Sequence, residues 1–168
     1  MVIDNPVSDD LHERGPHVPN GSEVEGMSLD AELYVGLYKA SRAMNSSYRP
    51  LLASIGLTHT QYLVMLVLWE RRVVTVGELG DRLHLSSGTV SPLLARLEHA
   101  GLISRRRRLD DVRTVDVFPT QEGLRLRVAA DNVPAVIARA SGLTSSEIAE
   151  LRDALQVMTM RLHAAELM

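Results

Sequence analysis

Ser87-Gly-Thr-Val-Ser-Pro-Leu-Leu-Ala-Arg-Leu-Glu98 has the pattern of a short helix with two unlike faces. Val90, Leu93, Leu94 and Leu97 recur at the i, i+3, i+4, i+7 spacing of one helix face, so they form an apolar stripe that seeks burial. Gly88, Pro92, Ala95, Arg96 and His99 point the other way, with Thr89 and Ser91 on the flanks. That outer face is small and polar, and nothing bulky keeps a partner surface away from it. Pro92 leaves the start of the helix open. It cannot donate a backbone hydrogen bond and it clashes with the carbonyl four residues back, which favours a cap at Ser91; a start at Ser87 instead loses the bond to the Gly88 carbonyl and adds a small bend.

Immediately upstream, Thr75-Val-Gly-Glu78 has capping-box spacing and opens a helix through Leu79 and Leu83 that stops before Ser86. Gly101 closes the helix that holds the quoted stretch. Two short helices, a tight turn and an apolar stripe on each read as a helix-turn-helix. Downstream, Leu102-Ile-Ser104 and Val115-Asp-Val-Phe118 predict two short strands joined by Arg105–Thr114, a hairpin with a basic root and a mixed-charge tip. An arginine run alone is commonly a solvated face, but directly behind a helix-turn-helix it reads as a wing.

Further out, Leu29-Asp-Ala-Glu32 opens a long amphipathic helix through Leu33, Leu37, Ala40, Met44, Leu51 and Leu52, ending near Gly56. Thr58-His-Thr-Gln61 caps a second helix that is apolar almost all round from Tyr62 to Glu70, and so belongs in the core. The short β-branched piece Val73-Val-Thr75 follows. Pro119-Thr-Gln-Glu122 begins a helix that Pro134 kinks or breaks, and Leu143-Thr-Ser-Ser-Glu147 starts a last one carrying Ile148, Leu151, Leu155, Met158 and Leu162. Residues 1–28 hold Pro6, Pro16, Pro19 and six acids without apolar periodicity, and are expected to form a disordered acidic arm.

Composition narrows the function classes. The net charge of −3 argues against a nucleic-acid partner, but its distribution reverses that reading. Arg71 to Arg127 holds eleven arginines against seven acids, a local +4, while the remainder holds seven bases against fourteen acids, a local −7. The absence of cysteine excludes disulfides, thiolate metal sites and a thiol nucleophile. No apolar stretch approaches membrane-spanning length, so no membrane partner and a cytoplasmic location are expected. His59, His84, His99 and His163 show no short ligand spacing, and no metal site or other cofactor is expected. An enzyme is equally unexpected. No nucleophile elbow or phosphate-binding glycine loop appears, the pair Asp110-Asp111 lies on a polar hairpin tip, and no catalytic residue is assigned.

The order of elements and several literal motifs resemble the MarR family of winged helix-turn-helix transcription regulators, from about Leu29 to the C-terminus. Asp111-Val-Arg113, the strand after it and Thr120-Gln-Glu-Gly123 resemble that family's wing pattern. Tyr48-Arg-Pro-Leu-Leu, Gln61-Tyr-Leu, Leu68-Trp-Glu, Ser87-Gly-Thr-Val-Ser-Pro-Leu-Leu and Arg96-Leu-Glu-His-Ala-Gly-Leu resemble the organic hydroperoxide-sensing branch, usually called OhrR. The implied fold is mainly α with a small β-hairpin wing. Its implied layout is an acidic arm over 1–28, a first dimerisation helix over 29–57, a winged helix-turn-helix lobe over 58–118 and C-terminal dimerisation helices over 119–168. The resemblance also implies a homodimer and a helix starting near Ser87. It places Tyr34 where that branch has its reactive cysteine, Tyr48 at one of two partner tyrosines, and His59 at the other. A tyrosine forms no sulfenic acid, so the reactive atom of that branch is missing.

The expected function is a dimeric repressor on double-stranded DNA, at a pseudo-palindromic operator whose half-sites lie about 34 to 36 Å apart. Thr89, Ser91 and Arg96 are expected to reach bases or nearby phosphates, Ser87 and Arg105, Arg106, Arg107 and Arg108 to fix register on the backbone, and Arg113 to enter the flanking minor groove, positioned by Asp111. Three readings of the effector stay open. One is a small apolar or phenolic molecule in a cleft lined by Tyr34, Tyr38, Tyr48, His59 and Tyr62. Another is a pocket filled by Tyr34, giving a constitutive binder. The third is oxidation of Met44 or Met65. A winged helix used purely for protein interaction is the remaining alternative, and the arginine enrichment argues against it.

Overall fold

The computed structural model describes residues 32–166. The chain divides into two compact units, Met1–Ala40 and Ser41–Met168. The predicted acidic arm and the residues Leu29 to Ala31 lie outside the described residues. Among those described, the elements in order are α1 (Leu33–Ser54), α2 (His59–Arg71), β1 (Val74–Thr75), α3 (Val76–Leu83), α4 (Ser87–His99), β2 (Ile103–Arg107), β3 (Val115–Pro119), α5 (Gln121–Ala130), α6 (Val133–Ser141) and α7 (Ser145–Glu166). The fold is mainly helical with one small antiparallel sheet in the order β1-β3-β2.

Local chemistry sets the boundaries of the central helices. Both expected capping boxes close: Thr58 accepts from the Gln61 N–H while Gln61 accepts from the Thr58 N–H, and Thr75 and Glu78 do the same. Helix α4 starts at Ser87 with Ser86 as its N-cap, and Pro92 sits inside it. Tertiary burial therefore outweighs the lost hydrogen bond. Val90, Leu94 and Leu97 are at most 2% exposed and Leu93 is buried beside them, each contributing roughly 1.5–3 kcal/mol. Gly101, at φ +71°, takes the left-handed conformation that turns the chain out of α4 and into β2. Pro134 breaks rather than kinks the helix after the wing, because it falls in the first turn of α6, where its missing N–H costs nothing.

The sheet corrects the predicted hairpin in two ways. β2 runs on to Arg107, so Arg105, Arg106 and Arg107 are strand residues rather than part of the loop. Register explains why: Arg105, Arg106 and Arg107 pair with Val117, Asp116 and Val115, and side chains alternate between the two faces of a half-solvated sheet. β1 adds a third strand, with Val74 opposite Val117 and Thr75 opposite Asp116. The core beneath gathers Leu52, Met65, Leu68, Leu79, Leu94, Leu97, Ile103 and Val117. Trp69 donates from Nε1 to the Gly123 carbonyl at 2.8 Å, tying α2 to the start of α5.

Candidate nucleic-acid interface

Helix α4 presents the outer face expected of it. Ser87, Gly88, Thr89, Ser91, Pro92, Ala95, Arg96 and His99 are all exposed, opposite the buried stripe. Ser86 makes no side-chain bond to the first-turn amides; its hydroxyl instead lies 3.1 Å from that of Thr89. The positive end of this helix is thus left for an anion or for solvent.

The wing arginines do not form one equivalent group. Glu98, at the end of α4, accepts from Arg105 three times: from the backbone N–H at 3.0 Å, from Nε at 2.9 Å and from Nη2 at 2.6 Å. Arg108 makes a matching fork to Asp116, with Nε 3.0 Å from both carboxylate oxygens and Nη2 at 2.8 Å. The Arg106 guanidinium lies 5.8 Å above the Phe118 ring, within cation–π range. Arg107 and Arg113 are exposed and, among the described residues, have no carboxylate partner. At the hairpin tip, Asp111 accepts from the Arg113 backbone N–H at 3.0 Å and from the Thr114 hydroxyl at 2.6 Å. It is therefore turned inward onto the turn that carries Arg113.

These contacts hold three carboxylates below the usual range. Hydrogen bonds from the Arg105 side chain do so for Glu98, those from Arg108 for Asp116, and the Thr114 hydroxyl followed by the Arg113 amide for Asp111. A carboxylate with a depressed folded pKa stabilises fully above its unfolded value near 4 and loses that contribution as pH falls through the folded value. Amide-exchange protection at Arg105 and Arg113 should hold from neutral pH down to about 5 and then fall below about 4, ahead of the rest of the sheet. Protection that changes only with global unfolding would remove these carboxylates from the wing's architecture.

Known proteins resemble this chain along most of its length. The pattern described as "MarR family" matches residues 57–115. The organic hydroperoxide resistance transcriptional regulator of Bacillus subtilis is 37% identical over 84% of this chain and 97% of its own length. The HTH-type transcriptional regulator TtmR of Methylorubrum extorquens is 44% identical, over 82% of this chain and 70% of its own. The structure of reduced AbfR bound to DNA superposes with a TM-score of 0.67 at 31% identity, covering 80% of this chain and 94% of that one. AbfR is a Staphylococcus epidermidis protein.

The chain belongs to the MarR family.

It is accordingly a transcriptional regulator of the winged-helix type and not an enzyme. The sequence holds no cysteine and so offers no thiol chemistry. The residues grouped as an effector pocket are only partly brought together. Tyr34 and Tyr38 lie in the first unit, 76% and 52% exposed. In the second unit, Tyr48 meets His59 edge-on at 5.5 Å and Tyr62 at 6.1 Å, but Tyr62 is buried against Trp69 as a core residue. Tyr48 lines an apolar cavity of about 370 Å³ between α1, α6 and α7 with Met44, Pro134, Ile137, Leu151 and Leu155. Tyr62 lines a different one, beside Trp69 and Arg127. Burial raises both phenols, so they stay neutral donors. Of the two methionines proposed for oxidation, Met65 is wholly buried, whereas Met44 is 47% exposed.

Sequence reasoning missed the carboxylate partners of Arg105 and Arg108. The register of the hairpin carries the Asp116 signal, but the Glu98 contact depends on how α4 turns into β2 at Gly101. It also missed the stacking of His84 on His163, with ring centroids 4.3 Å apart, because 79 residues separate them (163 − 84). Among the described residues no group of three or more His, Asp or Glu side chains gathers as a metal site.

Proposed function

We propose that this MarR-family chain is a homodimeric, sequence-specific DNA-binding repressor. The observation that carries it is the division of α4 into a buried apolar stripe and an exposed face of small polar residues ending in Arg96. Such a face enters a major groove, where Thr89, Ser91 and Arg96 reach base edges; an arginine paired to guanine contributes about 1 to 3 kcal/mol of discrimination. Ser87, in the first turn, offers its backbone to a phosphate. Arg113, aimed by the Asp111 turn, enters the flanking minor groove. Arg107 supplies the wing's remaining phosphate contact, while Arg105 and Arg108 hold the wing's shape.

The homodimer is supported by α7. Among its described residues this 22-residue helix has no buried side chain: Ile148, Leu151 and Leu155 of its apolar stripe border the Tyr48 cavity, and beyond them Met158 is half-buried and Leu162 exposed. Such a stripe needs a partner face.

Operator titrations across salt test the division of labour among the arginines. Arg113→Ala and Arg107→Ala should each lower the slope of log affinity against log salt by about 0.9, one phosphate equivalent. Arg105→Ala and Arg108→Ala should leave the slope within about 0.3 of the parent, because those side chains are spent on carboxylates. Equal slopes for all four variants would overturn the assignment.

Release by a small apolar or phenolic effector is favoured by the Tyr48 cavity, whose size is that of a small-molecule site and whose lining is apolar apart from Tyr48, Ser141 and Arg152. Thermal-shift screening with phenols and aromatic acids tests it. Stabilisation that disappears in Tyr48→Phe or Leu155→Trp supports the effector; silence throughout favours a constitutive binder.

A further inference from the structure

The hairpin ends on two apolar side chains that the fold does not use. Leu109 is 102% exposed and Val112 is 68% exposed, both in the loop between β2 and β3. That loop is tightly built. The Arg108 N–H donates to the Thr114 carbonyl at 3.0 Å and the Thr114 N–H to the Asp111 carbonyl at 2.9 Å, closing the turn across which Leu109 and Val112 sit. Asp111 is turned inward onto Thr114 and the Arg113 amide, while Asp110 is exposed and Arg108 is held by Asp116. Beside Asp110, the tip therefore offers its surroundings two apolar side chains and the Arg113 guanidinium.

Isolated exposed apolar residues are common and need no partner. This pair differs in its place, at the free end of a hairpin and beside the cation assigned to a minor groove. Two side chains are far too small a patch for a stable protein interface, which takes about 800 Å² from each partner. Two apolar side chains and one cation are likewise too few for a membrane surface, which takes a broad apolar face or a cluster of basic residues. A minor groove fits all three groups at once: deoxyribose C–H walls for the apolar pair, a negative potential for the arginine, and base steps that yield to an apolar wedge. We propose that Leu109 and Val112 enter the flanking minor groove with Arg113, Leu109 bearing on a base step and Val112 on the sugar wall. The wing then reads the deformability of the flanking step as well as its charge. This rests on the DNA-binding reading above.

The test uses the full chain and a duplex carrying the palindrome of its own promoter region, with 2-aminopurine placed at the flanking step. Leu109→Ala should bind about tenfold more weakly, as expected for a partly buried leucine, with an unchanged salt slope, because the lost contact is apolar. The wild-type protein should raise the 2-aminopurine fluorescence and the variant should not. Full exposure of Leu109 keeps folding out of the comparison. Wild-type affinity and fluorescence in Leu109→Ala would overturn the wedge while leaving DNA binding intact, as would wild-type binding joined to altered transcription, which would assign the tip to a protein partner. Failure of the wild type to prefer the palindrome over a scrambled duplex would overturn both readings.

Discussion

Gly123→Ala should cost this protein about 3 kcal/mol and lower its melting temperature by roughly 6–12 °C. The expectation runs against helix propensity, since Gly123 lies in α5, where alanine ordinarily gains about 1 kcal/mol over glycine. Space decides the sign. A Cβ on Gly123 would overlap the Leu102 carbonyl oxygen and would stand 3.2 Å from the Met65 Cε. The methionine end can move, but the carbonyl cannot. It already accepts the Thr120 N–H at 3.0 Å, while the Thr120 hydroxyl donates to Gly101 at 2.6 Å and accepts the Gly123 N–H at 3.1 Å. Relieving the overlap moves α5 away from the root of the wing and strains the Trp69 bond to the Gly123 carbonyl. Thermal denaturation compares the two proteins directly. A variant as stable as the parent would mean that α5 is not held against Leu102 by backbone contact.

A second large effect is expected at the far end of the chain, where Leu162→Asp should convert a dimer of 37 kDa (2 × 18.5) into a monomer of 18.5 kDa. Leu162 is 58% exposed, so a carboxylate there is well solvated in the lone chain and leaves its fold intact. In a dimer the same carboxylate would be buried without a partner, a penalty of several kcal/mol counted twice across a two-fold axis. Operator affinity should fall with it. A dimer holding two half-sites binds at roughly 10⁻⁸ to 10⁻¹¹ M, whereas a single basic module falls back toward the non-specific range of about 10⁻⁴ to 10⁻⁶ M. The loss is therefore at least about a hundredfold. Light scattering reads the mass and anisotropy reads the affinity. A variant that stays dimeric would move the dimer interface off the Leu162 face of α7.

The helical architecture was legible because it rests on short-range rules. Thr58 with Gln61 and Thr75 with Glu78 announce their helices within four residues, and the stripe of α4 fixes which face is buried. Pro92 shows the limit of local rules. Its chemistry favours a start at the proline, and the structure starts at Ser87 because burial of Val90 and its neighbours outweighs one hydrogen bond. Charge alone places Arg105 to Arg107 in a loop, whereas their alternation along the chain fits the strand they form. The roles of the same arginines were obscured for a different reason: a basic run does not reveal which of its members already has a carboxylate, and the Glu98 fork exists only once the turn at Gly101 is made. The aromatic cluster was half legible, since spacing brings Tyr48, His59 and Tyr62 together but does not distinguish a cavity wall from a core residue.

On the proposed function, the exposed face of α4 and the wing tip read a DNA sequence. Its most direct test is a fluorescence-anisotropy titration of the full chain against the palindrome of its own promoter region and against a scrambled duplex of equal length, at about 0.15 M salt. A preference of about a thousandfold or more, falling by roughly tenfold or more in Arg96→Ala for the palindrome alone, is the predicted result. Equal affinity for both duplexes, or an Arg96→Ala loss that is the same on each, would contradict it.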